Sequence, residues 1–258
     1  MNFEFETANI HFTMEGRGPP LIFLHGLGGR AENWLYQRRY FSKTRMVICP
    51  DMPGQGRSTG RDISFVRYAD VLQGLLDRLH VTTCEIVGLS KGARVGITLA
   101  ARCPDRVSSL VLVNTFVCLT PKDRKKREDL YALLENGDGG QEWARLLVEN
   151  MGVAHNSTIA RGFMRSLNTI DPEHIRRIFL EVIEYDQQIE LQNVKAPVLI
   201  LRGEADLFVP PYCAIYLYER LRQSEQVVMR DCGHLPYLER PEEFNRLVED
   251  FLDRNSLG

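Results

Sequence analysis

The sequence predicts an α/β protein built on a mostly parallel β-sheet. Three observations lead to this prediction: short apolar runs, helical stretches between them, and a chain of 258 residues with an ordinary composition. Runs that are apolar on both faces are typical of parallel strands covered by helices on each side, and strands that alternate with helices favour right-handed crossovers. The runs are residues 21–24, 46–49, 85–87, 110–113, 198–201 and a weaker run at 226–229.

Composition and charge limit the classes of function. Hydrophobic residues make up 44% of the chain and the net charge is −2, which argues against a general nucleic-acid binder but leaves a local basic patch open. No run approaches the ~18 apolar residues of a membrane span, and the N-terminus lacks the features of a secretory signal. The six cysteines contain no C-x-x-C pair. We therefore expect a cytoplasmic protein without a nucleic-acid or membrane partner. These features do not set its oligomeric state, for which a monomer and a homodimer both stay open.

The first fifteen residues alternate between apolar and polar, which predicts a hairpin that turns around Ala8-Asn9. Helical periodicity follows at 64–79, 91–102 and 241–253. The last of these begins with Pro241 and two glutamates, which suit the first turn of a helix and the positive end of its dipole.

One segment breaks the alternation of strand and helix. No strand-like run occurs between about 115 and 193, where four amphipathic patterns predict helices at 121–136, 140–151, 157–168 and 171–186. The glycine-rich residues 137–140 separate the first two. A basic cluster at 122–127 is interpreted as a solvated helix face rather than a ligand site. The segment therefore reads as an all-helical insertion between two strands.

The most informative segment is residues 88–92, Gly-Leu-Ser-Lys-Gly, which follows a predicted strand and begins a helix. A G-x-S-x-G motif in this context forms a strained turn that exposes the serine above the sheet. Gly88 and Gly92 are expected because a Cβ at either position would collide with the neighbouring strand or helix. The helix N-terminus would favour negative charge developing nearby. Ser90 is thus the predicted nucleophile; a purely structural turn is the alternative.

A serine nucleophile needs a base. Among the six histidines, at positions 11, 25, 80, 155, 174 and 234, only His234 lies on a loop between the last strand and the final helix. That loop is at the carboxyl edge of the sheet, where Ser90 also emerges. His234 is therefore the predicted base, with a surface-loop histidine as the alternative.

The base in turn needs a carboxylate that orients it. Asp206 follows the strand 198–201 at the same edge, and the chain order Ser, Asp, His matches this type of triad. Glu204 comes too soon after the strand, and Asn114, at the end of the preceding strand, is not an acid.

Two backbone N–H groups are expected to bind the oxyanion, those of Leu27 and Lys91. Leu27 lies in the glycine-rich residues 25–29, where His25 more plausibly organises the backbone. A phosphate-binding loop is disfavoured because neither G-x-G-x-x-G nor G-K-[ST] occurs there.

In this order, the motifs at 25–29, 51–58 and 88–92, together with Asp206 and Gly233-His234, resemble the α/β-hydrolase fold superfamily over nearly the whole chain. The resemblance implies an eight-stranded, mostly parallel sheet flanked by helices, with a helical lid inserted after the sixth strand. The core would be 1–114 and 194–258, and the lid 115–193. Residues 51–58 would be structural. Haloalkane dehalogenases and epoxide hydrolases have Asp at the nucleophile position, so Ser90 disfavours both.

Lys91 departs from the superfamily, which usually has an uncharged residue there. Its ammonium could enter the pocket and attract a carboxylate, but we favour an ion pair or an extension into solvent. Arg94 resembles the corresponding residue of the menaquinone-pathway lyase of the superfamily. Aromatic and polar candidates for the substrate pocket, for which core packing is an alternative, are His25, Trp34, Phe116, Trp143 and Phe163.

The predicted activity is hydrolysis of a small carboxylic ester, thioester or lactone through an acyl-enzyme on Ser90, without cofactor or metal. Two alternatives stay open. The same triad could serve C–C bond hydrolysis, a lyase step or perhydrolysis, or the chain could be a non-enzymatic receptor for a small ligand.

Overall fold

The computed structural model describes residues 1–135 and 139–255, and in them eight strands form one sheet in the order β1-β2-β4-β3-β5-β6-β7-β8. Strands β1 and β2 pair antiparallel, as do β2 and β4, and the remaining pairs are parallel. The strands are β1 (Asn2–Phe5), β2 (Ala8–Glu15), β3 (Pro20–Leu24), β4 (Met46–Pro50), β5 (Cys84–Leu89), β6 (Val107–Val113), β7 (Val198–Gly203) and β8 (Ser224–Met229). The predicted α/β class and mostly parallel sheet are confirmed.

Ten α-helices accompany the sheet within the same described residues. They are α1 (Leu35–Phe41), α2 (Tyr68–Arg78), α3 (Lys91–Arg102), α4 (Pro121–Ala132), α5 (Gly139–Asn150), α6 (Ser157–Leu167), α7 (Pro172–Glu184), α8 (Pro211–Arg220), α9 (Pro236–Glu239) and α10 (Pro241–Asn255). Helices α1, α8 and α9 were not predicted. In α8 the apolar Ile215 and the aromatic Tyr218 are each 50% exposed, so its sequence carries no clean amphipathic period.

The N-terminal hairpin is correct, but the predicted turn is wrong by two residues. Phe5 pairs with Ala8, so the chain reverses at Glu6 and Thr7, where Glu6 has a φ of 52°. Ala8 and Ile10 are buried on the same face of β2. A methyl group gives little signal in a hydrophobic pattern, and this explains why Ala8 was assigned to the turn.

Helices α4–α7 lie between β6 and β7, as expected for an all-helical insertion; we call residues 115–193 the insertion. The predicted separator at 137–140 is wrong in part, because Gly139 and Gly140 already belong to α5, while residues 137 and 138 lie outside the described residues. Asn156 and Asp171 accept backbone N–H bonds at the starts of α6 and α7.

Arg94 anchors the end of the insertion to the core. Its buried guanidinium donates to the carbonyl oxygens of Val182 and Tyr185, where α7 ends, and to Gln187 Oε1 at 2.5 Å. Gln187 Nε2 donates back to the Arg94 carbonyl at 2.8 Å. Arg94 therefore satisfies carbonyls that a helix end leaves without partners.

A second arginine corrects the interpretation of the basic cluster as a solvated face. Arg127 is buried and donates to the carbonyl oxygens of Leu207 and Phe208 in the loop after β7. Its neighbour Lys125 fits the interpretation, since it is exposed and paired with Asp129 at 2.6 Å. Arg127 lies on the inner face of α4, which the charge pattern alone does not distinguish from the outer one.

None of the helices in the described residues is long and apolar enough to cross a bilayer.

We expect Arg94→Met to lower the free energy of unfolding by at least about 2 kcal/mol, because each buried acceptor left without a donor costs about 1–3 kcal/mol. Urea denaturation measures the change. The control is Arg102→Met on the same helix, whose side chain is 43% exposed and pairs with Asp70 at 3.2 Å; we expect less than about 1 kcal/mol there. Equal effects of the two substitutions would contradict the anchor.

Candidate active site

Ser90 occupies the strained turn between β5 and α3. Its φ of 52° and ψ of −115° lie in a region that residues with a Cβ rarely adopt. The backbone is held there from both sides, because Ser90 N donates to the Val113 carbonyl at 2.8 Å and Thr115 Oγ1 donates to the Ser90 carbonyl at 2.9 Å. The turn thus places the serine at the carboxyl edge of the sheet.

Two glycines permit this turn by close backbone approach. A Cβ on Gly88 would lie 2.4 Å from Ala93 Cα, and one on Gly92 would lie 2.3 Å from the Leu24 carbonyl oxygen. Both distances are far below van der Waals contact with backbone that cannot move. The predicted reason for the glycines, collision with the neighbouring strand and helix, agrees with these distances.

His234 and Asp206 lie in direct contact at the same edge. His234 Nδ1 is 2.7 Å from Asp206 Oδ2, and both side chains are buried. The other carboxylate oxygen of Asp206 accepts the backbone N–H groups of Phe208 at 2.8 Å and Val209 at 3.1 Å. A carboxylate on Nδ1 holds the imidazole in the tautomer whose Nε2 is free to accept a proton.

Two residues that the sequence reasoning did not identify as functional hold the His234 loop. Glu239 in α9 accepts the backbone N–H groups of Gly233 at 2.9 Å and Leu235 at 3.1 Å. Asn114 bridges two loops, because its Nδ2 donates to the Gly233 carbonyl at 3.1 Å and its Oδ1 accepts from Gly203 N at 2.9 Å. Asn114 was considered only as a possible acid and rejected, although its position at the end of β6 was a usable signal.

His25 organises the loop after β3 from inside the protein. Nδ1 contacts the Gly26 carbonyl at 2.7 Å and Nε2 accepts from Met52 N at 3.0 Å, which fixes a neutral tautomer. Burial, with the nearby Lys91 charge, lowers the pKa of His25 to about 3. His25 therefore supports the backbone beside Leu27, and the prediction that its side chain lines the substrate pocket is wrong.

A small cavity brings Ser90 and His234 together. Its water-accessible volume is about 30 Å³, room for about two water molecules. Ser90 and His234 are joined there by apolar and aromatic side chains, and no Asp, Glu, Lys or Arg lines the cavity within the described residues. The lining residues are Gly26, Leu27, Leu89, Ser90, Tyr131, Leu147, Met151, Phe163, Phe208, His234 and Leu235. A larger groove of about 470 Å³ lies between α5 and α6, but neither Ser90 nor His234 lines it.

Of the four aromatic residues predicted to line the substrate pocket, the structure places one at the cavity. Phe163 lines the cavity. Trp34 instead packs in the core, with its ring 4.2 Å from that of Tyr237. Phe116 lies under the Arg94 guanidinium at 5.1 Å, and the ring of Trp143 is 5.6 Å from that of Tyr131.

Trp34, Phe116 and Trp143 do not line the cavity, and their rings pack instead against neighbouring rings or a guanidinium. Tyr131 was missed, although it lines the cavity and stacks on Phe179 at 3.5 Å.

Within the described residues, the Lys91 side chain does not enter the pocket, form an ion pair or extend into solvent, which were the three positions considered for it. It is buried, its Nζ lies 4.9 Å from the centre of the Tyr68 ring, and Nζ has no hydrogen-bond partner in the described residues. Burial lowers the pKa of Lys91 to about 7. Lys91 does not line the cavity, so only its backbone N–H can serve the reacting centre. No cluster of metal-ligating side chains occurs in the part of the chain that the structure describes.

This chain is similar to known proteins in both sequence and fold. A model described as "Alpha/beta hydrolase family" matches residues 21–247. The chain belongs to this family. It is 27% identical to a pimeloyl-(acyl-carrier protein) methyl ester esterase of Nitrosomonas europaea, over 92% of this chain and 97% of that protein. It is 29% identical to a 2-hydroxy-6-oxononadienedioate/2-hydroxy-6-oxononatrienedioate hydrolase of Burkholderia vietnamiensis, over 95% and 91% of the two chains.

Among solved structures, a thermophilic esterase from Thermogutta terrifontis superposes with a TM-score of 0.85 at 25% identity, covering 96% of this chain and 95% of that one. The predicted resemblance to the α/β-hydrolase superfamily and its fold are thus confirmed. Family membership and the relatives together support hydrolase activity on a small substrate.

We expect Lys91→Met to raise the free energy of unfolding at pH 7. An ordinary lysine binds its proton up to about pH 10.5 and the buried Lys91 only up to about 7, so unfolding takes up a proton between these values. The stability of the wild type therefore rises with pH across this window, and the full penalty is present below it.

Urea denaturation at several pH values from about 6 to about 10, the range in which lysines titrate, tests this expectation. The Lys91→Met variant should be more stable than the wild type at the lowest pH of the series. Its free energy of unfolding should not rise with pH as that of the wild type does. Lys125→Met is the control, since Lys125 is exposed and paired with Asp129. A Lys91→Met variant that is less stable than the wild type at every pH would show that the buried amine does not destabilise the folded protein.

Proposed function

We propose that the protein is a serine hydrolase that cleaves a small carboxylic ester, with Ser90 as nucleophile, His234 as general base and Asp206 as the carboxylate that orients His234. The observation that carries this proposal is the 2.7 Å contact between His234 Nδ1 and Asp206 Oδ2 beside a cavity that Ser90 and His234 both line. A thioester or a lactone would be cleaved by the same chemistry.

In the first step, Ser90 Oγ attacks the carbonyl carbon while His234 Nε2 takes its proton. The oxyanion forms near the backbone N–H groups of Leu27 and Lys91, which lie at the loop after β3 and at the N-terminus of α3. His234 then gives its proton to the leaving alcohol, and an acyl group stays on Ser90. Water, activated by His234, releases the acid and restores the serine.

The lining of the cavity supports a substrate that is uncharged and apolar around the reacting carbonyl. Four of the lining residues, Tyr131, Leu147, Met151 and Phe163, come from the insertion. We therefore propose that residues 115–193 act as a lid over a core of 1–114 and 194–258. Because the closed cavity has room for only about two waters, a substrate enters when the lid helices move apart.

C–C bond hydrolysis is the second candidate, because one relative carries the name of a hydroxy-oxo-dienedioate hydrolase. A dicarboxylate needs a cation near the reacting centre, and no Lys or Arg lines the cavity within the described residues. The buried Arg94 is occupied by the end of α7, so it supports neither this candidate nor a lyase step.

Replacing the proposed catalytic residues should remove hydrolysis of p-nitrophenyl acetate. Ser90→Ala should reduce the rate to that of the buffer, and Asp206→Asn should lower kcat by about 10³–10⁴ because the imidazole loses its correct tautomer. The control is Asp231→Asn, since Asp231 lies near His234 on the same loop but its side chain is 81% exposed. A purified Ser90→Ala variant that hydrolyses the ester at the wild-type rate would eliminate the acyl-enzyme mechanism.

The acyl group should be neutral. We expect kcat/KM for p-nitrophenyl butyrate to exceed that for the p-nitrophenyl monoester of succinate by at least about tenfold, because an unpaired carboxylate in an apolar site costs several kcal/mol. The two acyl chains have similar lengths, so size does not confound the comparison. A preference for the succinate ester would instead point to a cation that reaches the site during catalysis.

A further inference from the structure

The C-terminal end of α5 touches both loops that carry the proposed acid and base. We call residues 150–152 the α5 tip. The Asn150 carbonyl accepts from Leu207 N at 3.0 Å, one residue after Asp206, and the Met151 carbonyl accepts from His234 N at 2.7 Å. One turn of the insertion thus binds the backbone of the Asp206 loop and of the His234 loop with consecutive carbonyl groups.

The contact is made backbone against backbone. Gly152 has a φ of 69°, and a Cβ on it would lie 2.2 Å from the Ala205 carbonyl oxygen. A Cβ on Gly233 would lie 2.3 Å from the Met151 carbonyl oxygen. The two loops are also joined to each other, since Ala205 N donates to the Cys232 carbonyl at 2.8 Å. The tip therefore sits in a gap that has no room for one additional methyl group.

The His234 loop has core anchors, but they do not hold His234 itself. Glu239 binds the N–H groups of Gly233 and Leu235, and Asn114 binds the Gly233 carbonyl. The N–H group of His234 goes to the insertion. On the other loop, the Leu207 side chain is 68% exposed, and its backbone N–H likewise goes to the insertion, at the Asn150 carbonyl.

We propose that the α5 tip is a positioning element of the active site, which sets the orientation of the His234 imidazole relative to Asp206 and couples it to the insertion. This rests on the proposed function of His234 and Asp206. Met151 supplies the link to the substrate, because its carbonyl binds His234 N while Met151 also lines the cavity. A misplacement of about 1 Å in a catalytic group can cost about 10²-fold in rate.

Gly152→Ala tests the proposal, with Gly162→Ala as a matched control. Gly162 lies in α6 of the same insertion, and a Cβ on it would meet nothing within 4 Å. Hydrolysis of p-nitrophenyl acetate is measured per active site, with the active sites counted by fluorophosphonate labelling of Ser90 that is continued until it reaches a plateau, because the labelling also depends on His234. We expect Gly152→Ala to lower kcat about 10–100-fold with KM within about twofold, and Gly162→Ala to leave both unchanged.

The pH profile of kcat/KM distinguishes positioning from a general loss of structure. If His234 turns away from Asp206, the imidazolium loses its carboxylate and the acidic limb of the profile moves to lower pH. A variant that is merely less folded has fewer labelled sites but the same profile. Wild-type kcat and an unshifted profile in folded Gly152→Ala would overturn the proposal.

Two further measurements test the proposal if Gly152→Ala does not fold or if the proposed function is wrong. Asn150→Gly adds no atoms, removes the bond from Asn150 Nδ2 to the Leu146 carbonyl at 2.7 Å, and loosens the tip; we expect a smaller loss in the same direction. The NMR resonance of the His234 Nδ1 proton reports the contact with Asp206 without any substrate. If no ester is hydrolysed, the proposed function fails, and the tip is still tested by whether this resonance moves in the tip variants and stays in Gly162→Ala.

Discussion

The close approach of backbone segments at the carboxyl edge of the sheet is the constraint on which the site depends. Ser90 can stand in its strained turn because Gly88 and Gly92 let strand, turn and helix meet at distances that a Cβ would prevent. The strain is sustained by bonds from Val113 and Thr115 at the end of β6. A turn of this kind fixes the position of the Ser90 side chain, and the side chains of Asp206 and His234 reach the same edge from two other loops.

The loops after β7 and β8 meet at this edge through backbone contacts of the same kind. Asn114 and Glu239 tie the His234 loop to the core, and the α5 tip closes the gap between that loop and the one carrying Asp206. The insertion therefore contacts the backbone of both loops directly. Arg94 holds its far end on α3, and Arg127 ties its first helix to the residues after Asp206. The insertion is thus bound to the core near both of its ends and at the α5 tip.

Burial explains the unusual electrostatics around the turn. Lys91 and His25 are both buried, and the loss of hydration lowers the pKa of each. The N-terminus of α3 and the backbone N–H groups around the turn are positive ends of dipoles near the cavity. An apolar lining then strengthens these dipoles, because little water competes with them.

The sequence by itself determined the sheet, most helices, the insertion and the residues around Ser90, His234 and Asp206. Those features leave local signals, namely apolar runs, helical periods and a motif whose glycines have one steric explanation. Only the tertiary structure decided that Trp34 and His25 face the core, that Lys91 and Arg127 are buried, and that Tyr131 reaches the cavity. The direction of a side chain depends on which distant segment packs against it, and a linear pattern of polarity does not contain that information.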